Sequence, residues 1–153
     1  MIKQIIAGIL ALFTAIFSWF FAESKEIDWQ KASIDIIEAI KVNDIDTIEG
    51  YMCQNIKDNV PELRAKIAAF IGAIEGDIIS YERPSQFSST WNGNVRIVNV
   101  SSDTETTSGS YHVGIRWVIA NPSEPETVGI VAIWLSMQTD YGWKNCGFDI
   151  EMP

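Results

Sequence analysis

Two long runs of β-branched and aromatic residues dominate the second half of the chain. Residues 110–120 form the first run and residues 128–137 the second, and a polar connection with two prolines, residues 121–127, lies between them. Residues of this type favour extended strands, and prolines in a short polar stretch interrupt them. The pattern therefore predicts a long antiparallel hairpin.

Both sides of this predicted hairpin are apolar, because successive side chains of a strand point to opposite sides. The first strand carries Gly114, Val118 and Ala120 on one side and larger residues on the other, namely Tyr111, Val113, Ile115, Trp117 and Ile119. A sheet that is apolar on both sides needs two covers. We expect helices to supply one, and sheet curvature, a partner chain or a bound apolar ligand to supply the other.

Apolar residues recur at helical spacing in three segments of the first half of the chain. We expect the first helix to begin at the capping residue Asp28 and to end at Asn43, which tolerates a left-handed backbone. The second helix is predicted from about Ile45 to Met52. The third is predicted to open at Pro61 and to end at Gly76, since proline suits a first helical position and glycine a C-terminal one.

After Gly76 the period changes from helical toward two, which predicts further strands. These strands are expected at residues 77–83, 91–100 and 143–150, with a loop at 85–89 and polar turns at 101–108 and 139–142. Helices grouped ahead of antiparallel strands predict an α+β domain. In this fold three N-terminal helices pack on one face of an antiparallel sheet of about five strands.

The first 22 residues are typical of an export signal. Lys3 precedes an apolar run from Ile5 to Ala22, which gives a basic region followed by an apolar region. The run is long for the apolar part of a signal peptide and short for a membrane span, which needs about 17–25 residues. Residues 1–22 are therefore either a cleaved signal peptide or an N-terminal membrane anchor. Residues 23–28 form a linker, and residues 29–153 form the folded domain.

The acidic balance excludes one class of partner. The chain carries 11 Lys and Arg residues against 20 Asp and Glu residues, a formal net charge of −9. Removal of residues 1–22 removes only Lys3 and leaves 10 against 20, a net charge of −10. Because such a surface repels phosphate backbones, we expect no nucleic-acid binding. Membrane contact is expected only through residues 5–22, if they remain uncleaved.

Three helices followed by an antiparallel sheet resemble the nuclear-transport-factor-2-like (NTF2-like, cystatin-related) superfamily. More narrowly, residues 29–150 are similar to a family of small exported bacterial proteins of unknown function (DUF5104-like). The segments that carry this resemblance are Ile36–Ile40, Asn43–Asp46, Phe70–Ile78 and Pro125–Ile133. The resemblance implies a cone, in which a curved sheet wraps the helices and the open end holds a pocket. One departure is that no cysteine lies near the signal, where such proteins often carry a lipid.

Enzymes of the NTF2-like superfamily, such as ketosteroid isomerases and small dehydratases, place an acid or base and a hydroxyl donor in the pocket. The resemblance implies candidates on the predicted strands, namely Asp77, Tyr81, Tyr111 and His112. His112 is the only histidine, and a lone strand histidine is more often hydrogen-bonded at a surface than catalytic. The sequence shows no Ser-His-Asp spacing, metal-ligand cluster or glycine-rich phosphate loop, so no metal or cofactor is expected.

Aromatic residues at this density usually fill a core, although some line ligand cavities. The candidate ligand-binding residues are Trp91, Trp117, Trp134 and Tyr81. Cys53 and Cys146 are the only cysteines. In an oxidising exterior they could form a disulfide worth about 4 kcal/mol, and the alternative is two buried free thiols.

These observations favour a non-catalytic exported module that binds a small apolar ligand or a protein partner. Its expected location is extracellular or at the cell envelope, with residues 5–22 as the anchor if they are not removed. A homodimer through the sheet face would supply the missing cover. The first alternative is a small isomerase- or dehydratase-like enzyme with an acid or base and a tyrosine in the pocket. The second is a membrane-tethered immunity or stress protein.

Overall fold

Residues 26–147 and 149–151 are described by the structure, a computed structural model. The predicted export signal, residues 1–22, lies outside this range, as does the first half of the linker. Among the described helices, none combines the length and the apolar character that a membrane crossing requires.

Four α-helices lie in the described part of the chain, one more than the sequence predicts. They are α1 (Trp29–Lys41), α2 (Ile45–Tyr51), α3 (Gln54–Asn59) and α4 (Leu63–Gly72). A single-turn 3₁₀ helix, Pro125–Thr127, lies in the connection of the long hairpin. The α-helices all precede the first strand, so the predicted separation of helices and strands is confirmed.

Both predicted ends of α1 are confirmed. The Asp28 carboxylate accepts a hydrogen bond from the backbone N–H of Lys31 at 3.2 Å and so satisfies one free amide of the first turn. Asn43 adopts the left-handed conformation with φ 57°, and the chain turns there. Asp44 then caps α2 by accepting from the backbone N–H of Thr47 at 3.1 Å.

The third predicted helix is confirmed as α4, but it begins later and ends earlier than the sequence predicts, and the short helix α3 before it is not predicted. The short helix α3 ends at Asn59, α4 begins at Leu63, and Pro61 lies in the turn between them. Proline has no N–H with which to continue α3, and the next residue, Glu62, is left-handed with φ 54°. Pro61 therefore separates two helices instead of opening one, and α4 ends at Gly72, before the predicted stop at Gly76.

Seven strands lie in the described residues and form one open sheet. They are β1 (Ile78–Tyr81), β2 (Ser85–Asn92), β3 (Val95–Thr106), β4 (Ser110–Ala120), β5 (Gly129–Thr139), β6 (Gly142–Asn145) and β7 (Ile150–Glu151). The order of hydrogen-bonded neighbours is β1-β3-β4-β5-β6, with β2 also paired to β3 and β7 also paired to β5. Each of these pairs is antiparallel, so the α+β class with an antiparallel sheet is confirmed.

The β4–β5 hairpin is confirmed, whereas the strand predicted at 91–100 is confirmed only in part, since its residues from Val95 onward begin β3 and Trp91 and Asn92 end β2. Between them lies the turn that joins β2 to β3, where Gly93 has φ 61°. Asn92-Gly93 is a common hairpin signal and marks this turn in the sequence. The predicted loop at 85–89 lies in β2, whose exposed positions need no apolar residues. Most of the predicted turn at 101–108 lies in β3, where the buried positions are filled by the polar residues Ser102, Thr104 and Thr106.

The core lies between the helices and one side of the sheet, here called the inner face. The side of β4 that carries the larger residues faces the helices, and Trp117 is fully buried there. Its Nε1 donates to Oγ of Ser33 on α1 at 3.0 Å, and the Tyr51 ring packs edge-on with 5.8 Å between centroids. The largest fully buried side chains that the helices contribute are Ile36, Ile37, Ile48, Ile56, Ile67 and Phe70. The helices thus supply one of the two predicted covers.

Cys53 and Cys146 are free thiols in this structure, Cys53 buried and Cys146 partly buried, which corresponds to the unpaired one of the two alternatives. The backbone N–H of Cys53 binds the carbonyl of Ile130, and that of Cys146 binds the carbonyl of Leu135. Ile130 and Leu135 are separated by about 16 Å along β5, whereas bridged cysteines need Cα atoms within about 7 Å. Burial raises the pKa of the Cys146 thiol, which keeps it protonated at neutral pH.

Candidate functional site

The side of the sheet that faces away from the helices, here called the outer face, carries polar and aromatic side chains. The strand register places three rows across it, Asn99–Arg116–Ala132, Ser101–Gly114–Trp134 and Asp103–His112–Ser136. Neighbouring strands are about 4.8 Å apart, so the members of each row are in contact distance. The outer face is therefore a continuous surface built from β2 to β6.

Three aromatic rings, Phe87, Trp134 and Trp143, form what we call the aromatic triad of the outer face. Trp134 lies flat against β4, since a β-carbon at Gly114 would overlap its ring. Phe87 meets Trp134 edge-on, with 6.4 Å between ring centroids and an interplanar angle of 84°. Phe87 is 58% exposed and Trp143 is 46% exposed. Large aromatic surface is thus held in place at the open side of the sheet.

Polar side chains beside the triad are fixed by hydrogen bonds to one another. Nδ1 of His112 lies 2.6 Å from the Asp103 carboxylate, and the His112 ring packs on Trp143 with 5.3 Å between centroids. Nε of Arg116 donates to the Asn99 side-chain oxygen at 2.9 Å. Since only Nε is used in this bond, the remaining guanidinium N–H groups of the exposed Arg116 are available to a partner.

Acidic residues lie around the triad. Asp103 and Glu105 are on β3, and Asp149 and Glu151 are at the end of the described chain. A shallow cleft of about 200 Å³ joins Arg116 and Trp134 to Asp149 and Glu151, with Ala132 and Ile133 at its base. The outer face thus combines an aromatic centre, one arginine and a mostly acidic border.

A family model described as a domain of unknown function, DUF5104, matches residues 35–139, which is more than half of the chain. The chain belongs to the DUF5104 family. The matched region runs from α1 to the end of β5, so it includes Phe87, Arg116 and Trp134, while Trp143 and Asp149 lie beyond it. The narrower of the two resemblances drawn from the sequence is thereby confirmed. No curated protein matches the chain.

The four catalytic candidates of this DUF5104 domain do not meet in one cavity. Tyr111 is buried on the inner face, where its hydroxyl accepts from the backbone N–H of Glu75 at 3.0 Å. His112, the next residue on β4, points to the outer face. Asp77 is exposed in the link between α4 and β1. Acid–base catalysis needs such groups within reach of one substrate, and this arrangement separates them.

Tyr81, the fourth candidate, is engaged by the helices. Its hydroxyl donates to the Glu38 carboxylate on α1 at 2.6 Å. This hydrogen bond raises the pKa of Tyr81, and partial burial adds to the effect. Because its pKa is raised, the Tyr81 hydroxyl stays protonated at neutral pH and keeps donating to Glu38. This hydrogen bond connects the sheet to α1.

The tryptophan candidates lie in three different environments. Trp117 belongs to the core, and Trp134 belongs to the outer face. Trp91 is 67% exposed and packs under the Arg96 guanidinium, 4.9 Å from the ring centroid. The sequence did not single out Phe87 or the polar pairs, because only the register of β2, β3 and β4 shows that they are neighbours.

A larger groove than this cleft lies on the other side of the molecule, between α1 and α2. Its volume is about 650 Å³, and it is lined by Asp35, Glu38, Ala39, Val42, Asp44, Thr47, Gly50 and Tyr51. Nζ of Lys31 and the hydroxyl of Tyr51 both donate to the Asp35 carboxylate, at 2.8 and 2.7 Å. The lining thus mixes carboxylates and hydroxyls with apolar residues such as Ala39 and Val42, and an apolar ligand bound there would lie against the charges of Asp35 and Glu38.

We expect Asp35→Asn to destabilise the domain by about 1 kcal/mol at pH 7, the scale of a partly exposed hydrogen bond to a charged group. The hydrogen bond from Lys31, followed by that from Tyr51, lowers the pKa of Asp35 below its ordinary value of 3.8. A carboxyl group with a lowered pKa stabilises the fold above its unfolded pKa, and this contribution is lost as pH falls through the folded pKa. The difference between wild type and variant should therefore shrink below pH 3.8.

Urea unfolding at pH 7 and at about pH 3 measures this difference. Asp58→Asn is the matched control, because it removes the same charge from an exposed carboxylate that bonds only Gln54 within the described residues. An Asp35→Asn effect that is equal at both pH values, or equal to that of the control, would contradict the prediction.

Proposed function

We propose that this DUF5104 domain is a non-catalytic binding module, exported and held at the cell envelope, that binds a protein partner through its outer face. The observation that supports this most is the aromatic triad, in which Phe87 and Trp143 are 58% and 46% exposed on the face that also carries Trp134 and Arg116. Exposed aromatic surface on a folded domain commonly marks an interaction site. The outer face would then gain its predicted second cover from the partner.

The composition of the outer face suits a protein interface. Tryptophan and arginine are the residues that most often dominate binding energy, and they act from the centre of an interface. Trp134 and Arg116 hold that position here, with Phe87 and Trp143 beside them. Both central side chains are already oriented, Trp134 by Gly114 and Arg116 by Asn99. Pre-orientation lowers the entropy that binding would otherwise lose.

Charge indicates the kind of partner. The chain carries a net charge of −9, and the border of the outer face contributes four carboxylates. Complementary charge raises the association rate and selects among partners. We therefore expect a partner that presents an apolar or aromatic side chain at its centre, surrounded by Lys and Arg. The affinity should fall as salt is added.

The part of the proposal that concerns export is supported by the sequence alone. The apolar run from Ile5 to Ala22 supports a signal peptide or anchor, and the acidic surface disfavours nucleic acids. The order of helices and strands is compatible with an NTF2-like origin, including a cone in which the inner face is the concave side. Membership of the NTF2-like superfamily is therefore part of the proposal, because that fold requires helices on one side of an antiparallel sheet.

The other functions expected from the sequence receive less support. A small apolar ligand would need an apolar cavity, whereas the groove between α1 and α2 includes the carboxylates of Asp35, Glu38 and Asp44 in its mixed lining. An isomerase or dehydratase would need an acid or base beside a tyrosine, whereas the tyrosine candidates are each held by another group. The outer face is the surface on which binding chemistry is concentrated.

The test is capture of proteins from the envelope fraction of the source cells by the immobilised full chain. We expect Trp134→Ala to weaken capture of the partner about thirty-fold, because a central tryptophan commonly contributes about 2 kcal/mol or more. Trp91→Ala is the control, since it removes a more exposed tryptophan that lies away from the triad. Quantitative mass spectrometry of the captured proteins, with and without added salt, gives the result.

Capture that is equally weakened by Trp91→Ala, or unaffected by Trp134→Ala, would contradict the proposal. Native mass spectrometry of the protein purified from its source provides an independent check. Protein that is consistently free of any partner, or that carries a small organic ligand instead, would also count against it.

A further inference from the structure

The edge strand β2 is the least protected part of the sheet. Each residue from Ser85 to Asn92 is exposed. On one side β2 pairs with β3, and among the described residues no strand pairs with its other side. A free strand edge presents a row of unpaired N–H and C=O groups that can bind another strand.

The usual protections of such an edge are weak in β2. No charged residue occurs from Pro84 to Val95, although charged residues make up 20% of the chain. Proteins commonly place Lys or Pro in an exposed edge strand to prevent pairing, and here Pro84 lies just before the strand. One bulge occurs between Gln86 and Ser88, and the pairing with β3 is regular from Ser88 to Asn92.

We propose that β2 pairs with β2 of a second copy of this chain, antiparallel and centred on Ser89, so that two sheets join into one. The lack of charge is the first reason to choose a second copy as the occupant. Two molecules that each carry a net charge of −9 repel one another, and an uncharged edge is where they can approach most closely.

Self-complementarity is the second reason. In an antiparallel pair the sequence numbers of opposing residues have a constant sum, so pairing about Ser89 places Ser88 opposite Thr90 of the partner copy. Ser88 and Thr90 lie two residues apart, opposite Asn99 and Ile97, so both project from the outer face. Cross-strand pairs of Ser and Thr hydroxyls are favourable, and they recur on both sides of the two-fold axis.

The pairing would enlarge the outer face. A two-fold axis perpendicular to the sheet leaves the outer faces of both copies on the same side. Phe87 lies close to the axis in each copy, so the two aromatic triads would stand next to each other. The dimer is independent of the proposed partner, but it would let one partner with two binding sites engage both copies with increased avidity.

The expected dimer is weak. β2 contributes eight residues per copy, whereas a standard stable interface contains about 20–30 residues on each side. We therefore expect half-association at roughly 10–1000 μM. Added salt should strengthen this dimer, because it screens the repulsion between two acidic molecules.

Sedimentation of the full chain over a range of concentrations tests the pairing, with two double variants. S88K/T90K places Lys opposite Lys on both sides of the axis and should reduce association at least tenfold. S88K/T90E changes the same two positions but places Lys opposite Glu, and it should restore association to the wild-type level or above. Circular dichroism of both variants checks that they fold like the wild type.

Hydrogen exchange of the β2 amides gives an independent readout, since their protection should rise with protein concentration in the wild type and in S88K/T90E. A wild type that stays monomeric over this range would overturn the proposal. Association that S88K/T90K leaves unchanged, or that S88K/T90E fails to restore, would overturn it as well, because the contact would then lie elsewhere.

Discussion

Replacing Trp117 with alanine is expected to lower the free energy of unfolding by about 3–5 kcal/mol, which is much of the margin of a typical domain. Trp117 is fully buried at the centre of the inner face. Its neighbours across the sheet are Val98 on β3 and Ile130 on β5, so the cavity would be enclosed on both sides. The change would also leave the Ser33 hydroxyl on α1 without its donor.

Urea denaturation followed by circular dichroism measures the loss. Trp117→Phe should have a smaller effect, because it retains most of the buried area and removes mainly the hydrogen bond to Ser33. Trp143→Ala is the control for loss of a tryptophan as such. It is 46% exposed on β6 and should change stability by no more than about 1 kcal/mol. A loss below about 1.5 kcal/mol for Trp117→Ala would mean that helices and sheet are not joined through this residue.

The sequence predicts the inner face well because burial leaves a periodic signal. In β4 each residue of the predicted inner side, from Tyr111 to Ile119, is buried, although Gly114 and Val118 on the other side are buried as well. The ends of α1 were predictable for a related reason, since Asp28 and Asn43 satisfy local backbone requirements that depend on a few neighbouring residues. Both kinds of signal are local, or repeat along one element.

The outer face could not be predicted in the same way, because its contacts join residues on different strands. His112 is nine positions from Asp103, and Phe87 is far from Trp134 in sequence, yet each pair is in contact. Two features conceal the register. One is the turn at Gly93, and the other is the bulge between Gln86 and Ser88.

The choice between a disulfide and two free thiols depends on distant contacts for a comparable reason. Cysteine count and compartment indicate whether two thiols could pair, but Cys53 and Cys146 bind β5 at the distant residues Ile130 and Leu135, which keeps them apart. The sequence also predicted that the second side of the sheet needs a cover. The structure shows what occupies that side within the chain, which is Trp134 lying on Gly114, and a partner for the remaining exposed rings is our proposal.

Gly129→Ala is expected to lower the free energy of unfolding by about 2–5 kcal/mol, from backbone strain together with overpacking. Gly129 begins β5 with φ 136°, a conformation that residues with a side chain rarely adopt. A β-carbon there would lie 2.8 Å from the Cys53 amide nitrogen and 2.8 Å from the Tyr51 carbonyl oxygen. These are backbone atoms at the end of α2 and in its link to α3, and a hydrogen bond of 3.0 Å from the Cys53 N–H to the Ile130 carbonyl holds that link against β5.

Gly50→Ala provides the matched control for this substitution. Gly50 lies inside α2 with open space around its α-carbon, so the added methyl group should stabilise the helix by about 0.5–1 kcal/mol. Opposite signs for the same chemical change would show that the close approach of α2 and α3 to β5 determines the effect at Gly129. Equal effects of the two variants in urea unfolding would contradict this prediction. The close contact between Gly129 and the helical segment would then cause no strain when a methyl group is added.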